Sequence, residues 1–301
     1  MGEYDPKKGY GSCDVRHCET INLIHRLSQE HGRIKRLCSV FNVARSSYHS
    51  HLKQQSKVDL EREALRDRAV AIHTKSRGAA GARTIAGILT QEGEKIGRYK
   101  AKSLMKEAQI VSKQLRKHTY KIAQHESKVA PNILNREFNV VTPNTAWCGD
   151  VTYVWAGTCW MYLAVVLDLY SRKIVGWACS KSPDSKLTCA ALRVAFESRG
   201  KPDNLLFHSD QGCHYTSLEY RQSLWKYQIK QSMSRRGNCW DNAPMERFFR
   251  SFKVEWMPSD YYSTYEEAEL DILDYIHGHY NSERGHSYNN YLSPNAVEAM
   301  T

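Results

Sequence analysis

Trp147-Cys148-Gly149-Asp150-Val151-Thr152-Tyr153-Val154-Trp155 opens the part of the chain that decides the fold. Two more runs follow, Trp160 to Asp168 and Lys173 to Cys179, and all three are rich in the β-branched and aromatic residues that favour strands. Beyond them the period changes. A helical pattern spans Ser185 to Glu197, and the short apolar run Leu205-Leu206-Phe207 then ends on His208-Ser209-Asp210. A helix through Leu218, Leu224 and Trp225, a strand at Ile229 to Met233, a Gly/Asn-rich loop and a helix from about Asn242 complete the order. Three strands followed by alternating helices and strands predict an α/β unit, a mixed five-stranded sheet with flanking helices.

Upstream of Asn135 the texture is helical. Ile21, Ile24 and Leu27, with Leu23 beside them, recur at helical spacing before Gly32, and a second short helix carries Ile34, Leu37 and Phe41. After the turn Asn42-Val43-Ala44, a third helix opens on Arg45-Ser46-Ser47-Tyr48. This order is that of a helix-turn-helix, which would present Arg45, Ser46, Ser47 and Tyr48 to DNA; a three-helix packing unit that never meets DNA fits the pattern equally. A longer helix from about Val58 to Lys75 leads to a second such pattern. Its last helix, Arg98 to Ala108, turns Leu104 and Met105 inward and leaves Arg98, Lys100 and Lys102 outside. From Ser112 to Pro131 the chain is polar and basic, as a linker or a DNA-tracking arm would be.

The charge is divided unevenly. Residues 1–135 hold 26 Lys and Arg against 13 Asp and Glu, whereas 136–301 hold 17 against 19, so the whole excess of +11 belongs to the first half. Such an excess suits a polyanion-binding segment, although a solvated basic surface carries the same charge. The apolar run Met161 to Leu167 is far too short to span a bilayer, and Met1-Gly2-Glu3-Tyr4-Asp5 lacks the order of a secretory leader. A bacterial cytoplasmic location, on the nucleoid and not in a membrane, is therefore expected. Nine scattered cysteines argue against a disulfide framework, and Cys13 and Cys18 have no second pair at finger-like spacing to complete a zinc site.

Asp150 stands in the first strand, Asp210 at the end of the fourth, and Glu246 just inside the last helix, where Pro244 suits a first turn. Taken singly each is one acid among 32. Together they suit hard divalent cations, which prefer oxygen ligands. Their surroundings are specific: Gly149-Asp150-Val151-Thr152-Tyr153, Asp168-Leu169-Tyr170-Ser171-Arg172-Lys173-Ile174-Val175-Gly176-Trp177, His208-Ser209-Asp210-Gln211-Gly212, and Ser232 through Arg235-Arg236-Gly237-Asn238-Cys239-Trp240-Asp241-Asn242-Ala243-Pro244-Met245-Glu246. These strings resemble the DDE core of insertion-sequence-three family transposases of the second-reading-frame (OrfB) type, whose ribonuclease H-like fold is shared with retroviral integrases. The paired helical units and the tail Tyr280-Asn281-Ser282-Glu283-Arg284-Gly285-His286 are similar to that family too, as is the interval of 35 residues between Asp210 and Glu246. Cys213-His214 depart from it, standing where Ser-Gln is frequent.

The resemblance implies a DNA transposase that cleaves and transfers strands at element ends. Asp150, Asp210 and Glu246 would be catalytic and would bind two divalent ions, Mg²⁺ with Mn²⁺ as a substitute. Arg250 and Lys253 follow Glu246 on one helix face and could hold phosphates, though Arg250 could equally pair with Glu246. Arg235 and Arg236 are further candidate DNA contacts. Trp240 is expected to pack under its loop, and Asp168, Asp241 and Glu255 are expected to be structural. Partners implied are double-stranded DNA, as terminal repeats and target, further copies of the chain on that DNA, and an upstream-frame (OrfA) product. A DNA-binding regulator with an inert core, or a ribonuclease H-like nuclease, are the alternatives. The expected division is a helix-turn-helix domain (1–56), a second one (57–112), a basic linker (113–135), the catalytic core (136–256) and a C-terminal helical extension (257–301).

Overall fold

A computed structural model describes residues 15–55, 59–113, 129–258 and 261–301, and the chain parts into two compact units, 1–65 and 66–301. In the first unit, helices α1 (Val15–His31), α2 (Ile34–Val40) and α3 (Arg45–Gln55) enclose a small core of Ile21, Ile24, Cys38, Val43 and Tyr48. Asn42, at φ 53°, makes the tight turn into α3. Tyr48 corrects an expectation. It is only 1% exposed, and its hydroxyl shares hydrogen bonds with His25 Nδ1 (3.1 Å) and Ser28 Oγ (3.3 Å), so it cannot read DNA as it stands. The small core needs a large ring at that position of α3, while Arg45, Ser46 and Ser47 stay exposed.

Helix α4 (Leu60–Lys75) precedes α5 (Ala82–Gln91) and α6 (Arg98–Glu107), which bury Ile85, Leu89, Leu104 and Met105 and leave Arg98, Lys100 and Lys102 exposed. The stretch expected as a second separate domain is fastened to the C-terminal segment of the same unit. Arg77 donates to the Trp256 carbonyl and to Asp271, each at 3.1 Å, and lies 3.5 Å from the centre of the Trp256 ring. Most of the expected basic linker, 114–128, lies outside the described residues, as does Cys13.

The sheet consists of β1 (Ala146–Ala156), β2 (Cys159–Asp168), β3 (Ile174–Ser180), β4 (Leu206–Ser209) and β5 (Lys230–Met233), in the order β3-β2-β1-β4-β5. The first three are antiparallel, whereas β4 runs parallel to β1 and to β5. Strand β2 shows why Met161 to Leu167 reads as an unbroken apolar run. Met161, Leu163, Val165 and Leu167 enter one core cluster, and Ala164 and Val166 enter another, so the strand is covered on both faces. The second face is closed by α7 (Ser185–Ser198), with the short α8 (Cys213–Thr216) and α9 (Leu218–Lys226). Gly176 lets α7 approach β3, since a Cβ there would fall 2.5 Å from the Ala191 carbonyl oxygen.

The first face is closed by α10 (Ala243–Ser251), a π-helical continuation (Phe252–Trp256), α11 (Tyr265–Leu273) and a second π-helical stretch (Asp274–Tyr280); α12 (Pro294–Glu298) follows. Ala268, Ile272, Tyr275 and Ile276 share one core with β1 and β2, so 257–301 completes the sheet's cover. Among the described residues no helix is long and apolar enough to cross a membrane.

Candidate active site

Parallel pairing of β1 and β4 places Gly149 opposite Ser209, so the next residues, Asp150 within β1 and Asp210 just past the end of β4, lie side by side. This is the carboxyl end of β4, where open α/β sheets gather ligands. Gly149 is required by what lies beneath it, because a Cβ there would sit 2.3 Å from Phe207 Cζ. Asp210 accepts a hydrogen bond from the Gly212 N–H (3.0 Å), and Asp150 from the Val151 N–H (2.7 Å). Neither carboxylate, nor that of Glu246, has a salt-bridge partner among the described residues.

Glu246 reaches the site on α10, whose first turn contains Pro244. A braced loop aims that helix. The fully buried Asp241 carboxylate accepts from the Arg235 N–H (2.9 Å), from Arg235 Nε and Nη2 (2.9 Å each), from Arg136 Nε (2.6 Å) and from Asn132 Nδ2 (3.0 Å). These bonds, led by the Arg235 side chain, hold its pKa well below the ordinary carboxylate range. Asn242 then donates to the Gly149 carbonyl at 3.4 Å, joining the loop to β1 beside Asp150. Below, buried His208 bridges Ser232 Oγ (2.8 Å) and Ser234 Oγ (3.1 Å), and burial pushes its pKa down to about 4.

The electrostatics single out Asp150. Burial raises its pKa well above the usual value, the Asp210 charge raises it next, and Glu246 adds to both; Lys253 and the Val151 N–H oppose them. Burial also raises Glu246. Like charges have been brought together without a neutralising cation in contact. That is a donor set fitted to a hard divalent ion, made of oxygen ligands whose mutual repulsion the ion would relieve. Two buried polar atoms close to these residues, His214 Nε2 and Asn242 Oδ1, have no hydrogen-bond partner. Among the described residues no three His, Cys, Asp or Glu side chains are gathered tightly enough to hold one ion as they stand. Glu246 adds less to the upward shift of Asp150 than Asp210 does.

The other expected site residues divide. Lys253 lies at the edge of the site, its ammonium 4.7 Å from the centre of the Tyr153 ring and within the field of Asp150. Arg250 and Arg236 are exposed, and Arg250 makes no ion pair with Glu246. Arg235 is committed to Asp241 through both its backbone and its guanidinium, which makes it a loop brace before it is a DNA contact. Trp240, expected under the loop, is 70% exposed, because Asp241 and not the indole anchors this turn. Asp168 is structural, buried beneath the Asn144 and Tyr170 N–H groups, and Glu255 pairs with Arg284 at 2.8 Å. Asn242, His208 and His214 escaped sequence reasoning. Their positions depend on strand pairing and loop closure, and only the departure at Cys213-His214 drew notice.

Residues 141–239 match the Integrase core domain family, residues 227–294 a second family of that description, and residues 60–118 the HTH-like domain family. InsO of insertion sequence element IS911B from Escherichia coli (strain K12) is 52% identical over 153 residues, which cover 51% of this chain and 77% of that one. Among solved structures, the HTLV-2 integrase catalytic core domain in complex with magnesium (trimeric form) matches 53% of this chain and 98% of that chain, at 20% identity and a TM-score of 0.38. The transposase InsF of insertion sequence IS3A, also from Escherichia coli (strain K12), is 32% identical over 269 residues, covering 88% of this chain and 93% of the relative. With a relative matched over nearly its full length and an integrase core joined to an HTH-like domain, the chain belongs to the IS3 family of DNA transposases.

Proposed function

We propose that Asp150, Asp210 and Glu246 are the catalytic carboxylates of this transposase, and that they hold two divalent ions, Mg²⁺ or Mn²⁺, for cleavage of element ends and joining of the freed 3′-hydroxyl to target DNA. The observation that carries this reading is the register of β1 on β4, which sets Asp150 beside Asp210, neither with an ion-pair partner among the described residues. When bound, such ions would stabilise the attacking and leaving oxygens of an in-line phosphoryl displacement.

The protein's own residues do the rest. Asp150 and Asp210, fixed by strand register, form the rigid side of the site, and Glu246 closes it from α10. Lys253 and Arg250 hold the phosphate backbone against that edge. Arg236 and the exposed faces of α3 (Arg45, Ser46, Ser47) and α6 (Arg98, Lys100, Lys102) engage double-stranded DNA, the element's terminal repeats first and target DNA afterwards. Several copies acting together on paired ends, with an upstream-frame partner, complete the machine, which works on nucleoid DNA in the cytoplasm. A Mn²⁺ titration followed by electron paramagnetic resonance tests the carboxylate assignment. The wild type should bind the ion and Asp210→Asn should not; equal binding by both would refute the assignment.

A further inference from the structure

Strand β1 runs on past the end of β4, so among the described residues Asp150 to Trp155 pair with β2 alone. Tyr153 and Trp155, two residues apart on this stretch, share a face, and their cross-strand partners there are Tyr162 and Trp160. The Trp160 ring meets Tyr153 at 5.1 Å and 90°, and Trp155 at 4.9 Å and 77°, two edge-on contacts that join the three rings into one cluster. Tyr153 is 56% exposed and Trp160 46%, although the same sheet face is buried nearer its centre at Trp147, Ala164 and Val166. Contiguous exposed aromatic surface of this kind marks an interaction site. Lys253 settles the kind of partner. Asp150 stands on the opposite face of β1, and Lys253, whose ammonium lies over Tyr153 and within the field of Asp150, is the cation that links the aromatic surface to the side of the sheet that carries the carboxylates.

We propose that Tyr153, Trp155 and Trp160 form a stacking platform for unpaired bases of the DNA strand engaged at the carboxylates, with Lys253 holding that strand's phosphate. The inference rests on the active-site reading above. Stacking on such rings tolerates any sequence, because every base has a π-face. The platform would therefore capture a frayed or flanking strand whatever the element end reads.

Fluorescence anisotropy of the full chain in chelator compares two labelled probes, dodecathymidylate and a blunt duplex of about twenty base pairs. Trp160→Ala is expected to weaken the single strand about tenfold, the loss of one stacked base, and the duplex by less than about twofold, with Trp160→Phe restoring most of the difference. Equal losses on both probes, or none on the single strand, would overturn the proposal. So would a shift of Trp160→Ala to a smaller species on sedimentation without DNA, which would assign the surface to a second copy of the chain. Should Trp160→Ala lower the melting midpoint, Tyr153→Leu provides the same comparison. Because no metal is present, failure here leaves the carboxylate assignment standing, and failure of Mn²⁺ binding leaves the platform result readable.

Discussion

Replacing Asp241 with alanine should loosen the loop that aims Glu246 before it harms anything else. The buried carboxylate satisfies the Arg235 backbone N–H and the Asn132 amide at 2.9 and 3.0 Å, and truncation leaves both donors without partners. Each orphaned donor, only partly buried, costs about 1–2 kcal/mol, the low end of the range for a buried group, so the loss should total about 3 kcal/mol. The guanidinium heads of Arg235 and Arg136 are open to solvent and rehydrate, adding little. In a unit of this size a loss of that order lowers the melting midpoint by about 6–12 °C. Asp241→Asn, which keeps an acceptor, should fall between. Because the folded-state pKa is depressed, the native carboxylate's contribution is fully present above the unfolded value of about 3.9 and is lost as pH falls through the folded one. The difference between wild type and variant should therefore be constant near neutrality and shrink in acid. Calorimetric melts combined with hydrogen exchange across 235–246 make the measurement. An unchanged midpoint, or a lowered one without faster exchange in that loop, would refute the bracing role.

Three further outcomes are expected. Asp150→Asn should raise the melting midpoint of the protein in chelator, because a charge whose pKa is raised by burial and by Asp210 destabilises the fold near neutrality, and should abolish the further rise on adding Mn²⁺; paired melts check both. Since His208 has its pKa pushed down to about 4, the unfolded chain takes up that proton first as pH falls from about 6.5, and stability should drop by up to about 3 kcal/mol by pH 4. Urea midpoints against pH should show a flatter slope for His208→Gln. Finally, Tyr48→Phe should cost about 1 kcal/mol through its lost hydrogen bonds and leave the salt dependence of DNA binding untouched, whereas Arg45→Ala should reduce that slope by about one, read from anisotropy at several salt concentrations.

Much of the core was legible because its strands declare themselves. Met161 to Leu167 is apolar without alternation for the reason that β2 is covered on both faces, and Leu206 to Ser209 leads straight to Asp210. Residues whose meaning depends on distant partners were harder to read. Asn281 and Arg284, part of the family-like tail, act as clamps: Asn281 donates to and accepts from the Ile174 backbone, each at 2.9 Å, and Arg284 holds Ser251 at the end of α10 and Glu255 on its continuation. Tyr48 looked available on α3 because helical period alone does not say which ring a small core will claim. Trp240 was misjudged for the converse reason, since apolar bulk suggested packing while the turn is anchored by a buried carboxylate. The attachment of the stretch 57–112 to the C-terminal segment was not legible, because Arg77 and its partners Trp256 and Asp271 lie far apart in the chain.

The central claim is that the three carboxylates perform strand transfer while the helical units supply binding. A strand-joining assay with the element's terminal repeats, target DNA, Mg²⁺ or Mn²⁺ and the upstream-frame product, run beside a binding assay on the same DNA, compares wild type with Asp210→Asn. The account predicts that Asp210→Asn binds the repeats as the wild type does and joins no strands. Joining by that variant, or its absence from the wild type under the same conditions, would contradict it.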